Sequence, residues 1–170
     1  LLLAGWLLVS WLIPLVLIDI DSLWLPEPLC RWGLVVGLAV TALIGFQQGP
    51  TIGRSLLFSH LLAAAMGLLG FELSSALAAR VFGKPALGLG DAKLAALMGA
   101  WLGPLGLGLA VALAVLSGGL VGLTGWLTGR LQRGQALPFG PFLAAGTLAV
   151  WWAGSRFWLD RSEEHTSELQ

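Results

Sequence analysis

The length of its uncharged stretches constrains this chain more than any other feature. "LLLAGWLLVSWLIPLVLI" opens the sequence without an ionisable side chain, and Leu94 to Gly129 contains none either. The apolar stretches run to roughly 18–25 residues, the length that crosses a hydrocarbon core about 30 Å thick. Composition supports the same conclusion. Hydrophobic residues make up 57% of the chain and charged residues 11%, whereas a soluble domain carries about 25% charged residues. Glycine, at 24 of 170 residues, suits close packing between membrane helices. Nine tryptophans and no tyrosine fit indoles placed mostly near headgroups. The sequence therefore predicts an all-α fold, a polytopic helical bundle of about six transmembrane segments in a lipid bilayer.

Turn residues divide the chain. A first span covers about 1–18 and ends at "DIDSLWLPEP", where Pro26 and Pro28 break one helix and start the next. The second runs over about 29–46, "QQGPTIG" turns the chain, and the third covers about 55–82. After "GKPALGLG" an apolar stretch begins that is too long for one crossing. "GPLG" at 103–106 offers its turn, and the last span covers about 142–159 after "GQALPFGP". Drawn this way, Arg31, Arg80, Lys84, Lys93, Arg130 and Arg133 fall on one side and Arg54 and Arg156 on the other. The excess of basic residues makes the first side cytoplasmic.

Both ends of the chain are unusual. Leu1 already lies within an apolar run, so the start reads as truncated in mid-helix and no signal peptide can be identified. "RSEEHTSELQ", residues 161–170, matches the translated read-through of a sequencing adapter and is set apart as a non-native tail. Residues 1–160 remain as one membrane-embedded domain. Removing the tail takes away one Arg and three Glu, leaving 8 basic and 6 acidic residues, a balance that gives no footing for nucleic acid. The single Cys30 excludes an internal disulfide framework and a zinc site built on paired cysteines, and no metal ligand set is expected. It reads as a small apolar filler.

Two aspartate stretches stand out, because an ionisable residue within or at the edge of a span costs a few kcal/mol. Asp19 and Asp21, in "LIDID" at a helix end, differ by two positions, so only one of them can face a crevice while the other faces water. Asp91, in "GLGD" at a helix start, suits an N-cap. It could also meet a helix-end aspartate across a crevice. Two carboxylates that meet share a proton. The ionised one can then take a proton from water while the protonated one polarises a carbonyl, which is acid–base hydrolysis of a peptide bond. Gly88 and Gly90, lacking Cβ atoms, would let an extended substrate backbone approach.

"LIDIDSLWLPEPL", then "GLGDAKLAALMGAWLG", then "LPFGPFLAAG" together resemble the type IV prepilin peptidase family, membrane aspartic peptidases of the GxGD kind. The resemblance implies that Asp19 and Asp91 are the catalytic pair. It gives Asp21, Glu27, Gly88, Gly90, Lys93, Pro138, Phe139 and Gly140 supporting or substrate-binding roles. Glu27 stands where the family often has aspartate. The implied reaction is removal of the short basic leader of prepilins or type II secretion pseudopilins, at the cytoplasmic face of the bacterial inner membrane. The peptidase would need no cofactor. S-adenosylmethionine would enter only if a missing N-terminal region carries the family's methyltransferase.

Other polar residues have simpler readings. Glu72, with Ser74 and Ser75 and about two turns from Arg80, reads as bonded to a neighbouring helix or snorkelling, or else as lying near the crevice. His60 reads as an interfacial side chain, and Arg130 and Arg133 as topology anchors. The competing function is a transporter or channel subunit whose aspartates bind protons or cations. Such a protein favours carboxylates at the membrane midplane, whereas these cluster at one edge.

Overall fold

A computed structural model describes the backbone of residues 2–83, 88–130 and 137–167, and their side chains up to residue 154 except that of Phe82. Lys84, Arg133 and the side chain of Arg156 lie outside the described residues. Five helices follow in order: α1 (Leu2–Ser22), α2 (Glu27–Gln47), α3 (Pro50–Phe82), α4 (Leu89–Leu127) and α5 (Gly140–Ser167). The described residues contain no strand.

The boundaries follow local chemistry. α1 outlasts its apolar run and stops where Leu23 turns left-handed (φ 52°) and donates its N–H to Asp19 O at 2.9 Å. Pro26 is the N-cap of α2, with Pro28 in its first turn. α3 begins at Pro50, earlier than the apolar pattern suggests, because a proline at the first helical position loses no hydrogen bond. It ends on Gly83, whose φ of 72° is the left-handed closure glycine allows.

α1 to α4 are each long and apolar enough to cross a membrane, so the chain is a multi-pass helical membrane protein. Among the described residues α4 is two helices joined at Gly103 (φ 69°, ψ −177°), so the turn expected at "GPLG" separates a short segment from a long one. Residues 89–102 amount to about 21 Å of helix, short of the bilayer core, and are almost wholly buried among the other helices.

Packing shows that α4 doubles back. Its first half starts with Gly90 against Leu25 and reaches Trp101 beside Gly37, so it runs with α2. Its second half pairs Gly106 with Val150 and Ala110 with Gly146, so it runs against α5. α5 itself begins beside Asp19 at the end of α1 and passes Gly5, near the start of α1, at Trp151. Against α3 the first half of α4 packs backbone to backbone: Gly67 meets Ala95, and Gly99 meets Ala63. α4 thus packs on α2, α3 and α5, and the core gathers Leu8, Leu12, Leu15, Leu97, Met98, Trp101 and Leu143 around it. Trp101 also donates Nε1–H to Gly33 O at 3.0 Å and meets Trp151 edge to face.

The bend leaves one backbone group without a helical partner. Pro104 has no N–H for the carbonyl four residues earlier, that of Ala100. Thr41 Oγ1 (3.2 Å) and His60 Nδ1 (3.0 Å) donate to that oxygen instead, from α2 and α3. His60 is therefore a half-buried support of the bend. Removing both donors, as in Thr41→Val with His60→Ala, should strand a buried carbonyl at a cost of about 1–3 kcal/mol. Thermal unfolding in detergent should show the double variant melting clearly below wild type, with Thr41→Val alone losing less. Equal melting temperatures would mean that something else holds the bend.

Candidate active site

Four helix ends meet on one side of the bundle: the end of α1 and the starts of α2, α4 and α5. Asp19, in the last turn of α1, is 5% exposed. Its Oδ2 accepts the N–H of Gly140, the first residue of α5, at 2.9 Å. Glycine is needed at that position, because a Cβ there would lie 2.6 Å from the same oxygen. Asp19 sits at the unfavourable negative end of its own helix, and the positive N-terminal end of α5 offsets this.

Asp91 is 9% exposed and occupies the first turn of α4. The helix begins at Leu89 with Gly88 as N-cap, so Asp91 acts from the third helical position rather than as the N-cap itself. Its Oδ2 accepts the Gly88 N–H at 3.0 Å, which is the reciprocal half of a capping box. The two aspartates are thus held alike, each giving one oxygen to a backbone N–H at a helix start. Among the described residues no other hydrogen bond reaches either carboxylate, and no buried side-chain oxygen lacks a partner. The backbones of α1 and α4 do not touch; α5 reaches Asp19 through Gly140, and α4 reaches the segment after α1 through Gly90 on Leu25. Both carboxylates thus lie at the end of the bundle where these helix ends gather.

The other residues singled out in the sequence divide between this cluster and its surroundings. Leu25 is buried against Gly90, where a Cβ would fall 2.8 Å from that of Leu25. The open side of Gly90 is therefore filled by the chain itself. Glu27, two residues further on, accepts from Lys93 Nζ at 2.8 Å and ties the start of α2 to that of α4. Both side chains are substantially exposed, so solvent screening leaves the ion pair little to add to stability. Pro138 and Phe139 are partly buried, and Phe139 O accepts the N–H groups of Phe142 and Leu143 to open α5. Asp21 is exposed.

The three separated motifs therefore meet through named contacts: Asp19 on Gly140, Leu25 on Gly90, and Glu27 on Lys93. Sequence reasoning missed the support of the bend by Thr41 and His60. The signal available was Ala100 four residues before Pro104, together with the small-residue stripe Gly33, Gly37, Thr41 and Gly45 that is buried on α2. Chemically, a buried carboxylate with one oxygen anchored keeps the other for exchanging a proton with water or a substrate.

Comparison with known proteins adds an independent line. The family model described as the type IV leader peptidase family matches residues 6–123. A prepilin leader peptidase/N-methyltransferase of Aeromonas hydrophila is 34% identical over 164 residues, covering 89% of this chain and 52% of the relative. The protein of that name from Legionella pneumophila is 34% identical over 155 residues, covering 91% and 50%. One from Burkholderia pseudomallei (strain 1026b) reaches 47% over 73 residues, covering 43% and 24%. The chain spans about half the length of the first two. No solved structure matches it.

Proposed function

Because this chain belongs to the type IV leader peptidase family, we propose that it carries the cleaving portion of a membrane aspartic endopeptidase. Its substrates are the leader peptides of type IV prepilins or type II secretion pseudopilins, cut at the cytoplasmic face of the bacterial inner membrane. Asp19 and Asp91 are the catalytic pair. The observation that carries this reading is the convergence of the motifs bearing the two aspartates at one end of the bundle, each carboxylate anchored through Oδ2 by a backbone N–H at a helix start.

Two carboxylates so placed cannot both ionise easily, so one proton is shared between them. The ionised one takes a proton from a water molecule as its oxygen attacks the scissile carbonyl carbon. The protonated one gives its proton to the carbonyl oxygen, forming a tetrahedral diol. On collapse the C–N bond breaks, and the diol returns a proton to the second aspartate. The proton held by the first passes to the leaving amine. Water is thereby added across the amide, and both aspartates regain their starting states. The scheme requires no cofactor; S-adenosylmethionine would serve only a methyl transfer, which is no part of it. Glu27, Lys93, Pro138, Phe139 and Gly140 position the helix starts, and Gly88 orients Asp91.

The protein in lipid nanodiscs should cut a prepilin-type peptide at one bond, seen as two products by mass spectrometry. A proton or cation flux through proteoliposomes, with no cleavage, would favour the transporter reading and overturn this one.

A further inference from the structure

A groove of about 450 Å³ opens between α3 and the start of α4, lined among others by Phe71, Glu72, Ser75, Ala76, Gly88 and Ala92. Its volume is in the range of ligand-holding clefts, about 300–1,000 Å³. The packing of Gly67 on Ala95 and of Gly99 on Ala63 fixes the antiparallel register of α3 and α4. Continued by one more step of four residues, that register puts Phe71 level with Asp91 and Glu72 level with Gly90. Gly88, whose N–H holds Asp91, is also part of the groove wall, so groove and carboxylate share a stretch of backbone.

Glu72 is the only acid among the lining residues, which are otherwise apolar apart from Ser75 and the glycine. It is exposed, and among the described residues no hydrogen bond or ion pair reaches it. A carboxylate on an apolar spanning helix costs a few kcal/mol and marks a functional position by default. Among the described residues no cation complements it, which leaves it open to a cationic side chain of a substrate. α3 continues past this level to Phe82, about 15 Å further, so the groove has a helical wall on the side from which a peptide would enter.

Resting on the peptidase reading above, we infer that this groove seats the substrate residues flanking the scissile bond, with Glu72 pairing a cationic side chain of the substrate. Glu72 is a specificity residue: it sits beside the reacting centre and selects what enters. The apolar lining receives the neighbouring uncharged residues of the peptide.

The test uses the full chain in nanodiscs as wild type, Glu72→Gln and Glu72→Lys. Two prepilin-type peptides serve as substrates, one with Lys or Arg ahead of the cut and one with Glu in their place. Glu72→Lys should lower kcat/KM on the basic peptide by on the order of 10–100-fold, mostly through KM, as expected for loss of a charge pair. It should recover at least about tenfold on the acidic peptide, a rescue that a merely structural role would not give. The near-isosteric Glu72→Gln should lose much of the discrimination without reversing it. If wild type cuts both peptides and their ratio does not change with residue 72, this inference falls and the peptidase reading stands. If wild type cuts neither, both fall. An equal loss on both peptides, with the ratio unchanged, assigns Glu72 to the fold and overturns the pairing.

Discussion

Asparagine in place of Asp19, or of Asp91, is expected to abolish leader cleavage, with a fall in kcat of roughly 10³-fold or more, since general acid–base roles contribute about 10²–10⁴-fold. The amide can neither accept a proton from water nor return one to the leaving amine. It can, however, keep the structural contact. An asparagine Oδ1 can accept the Gly140 N–H at position 19 or the Gly88 N–H at position 91, the bonds now made at 2.9 and 3.0 Å. Each variant should therefore insert and melt close to wild type while failing to cut. The double variant should be scarcely worse than either single one, because the pair works as a unit. Quantifying product by mass spectrometry, with melting temperature measured alongside, separates chemistry from folding. A single variant retaining a tenth of wild-type turnover would remove that aspartate from the mechanism.

The second large effect is expected at a residue that has no side chain. Gly140→Ala adds a methyl group that would lie 2.6 Å from Asp19 Oδ2, closer than the two atoms can approach. Either the carboxylate swings away or the start of α5 moves, and in both cases the N–H that anchors Asp19 is displaced. Misplacing a reacting group by about 1 Å can cost on the order of 100-fold. Gly140→Ala should therefore reduce kcat by about that factor while KM changes little, since residue 140 lies outside the groove beside Glu72. Loss of packing would be smaller, because alanine suits a helix better than glycine. Cleavage kinetics within a few-fold of wild type would show that Asp19 does not depend on this contact.

The sequence made the fold class legible because membrane crossing imposes a length. Uncharged runs such as 1–18 and 94–129 leave helices as the economical way to satisfy the backbone in lipid. Helix breaks were legible from Pro26, Pro28, Gly49, Pro50 and Gly83, although α1 ran on past Asp19 and α3 began sooner than its apolar pattern. Those differences arise because ends are set by caps and turn conformations, to which hydropathy is blind. The turn within α4 was legible at "GPLG", but not what holds it. Whether Gly103 and Pro104 merely kink the helix or turn it depends on what satisfies Ala100 O, and that is done by Thr41 and His60 from two other helices.

The candidate site divides along the same line. By itself the sequence determined an apolar helical chain and three motifs whose order and content place it with the type IV leader peptidases. It also showed that, of Asp19 and Asp91, each stands at a helix end, and that Asp21 must face away from Asp19. These are properties of composition, of helical periodicity and of short motifs, all carried by residues near one another in the chain. Only the tertiary structure decided that Gly140 anchors Asp19, that Leu25 closes over Gly90, and that Glu72 stands level with the start of α4 with no partner among the described residues. Each of these joins residues on different helices. What sets them is the close approach of backbones at glycines such as Gly67 and Gly99, since the helix-to-helix register fixed there brings distant side chains to one depth.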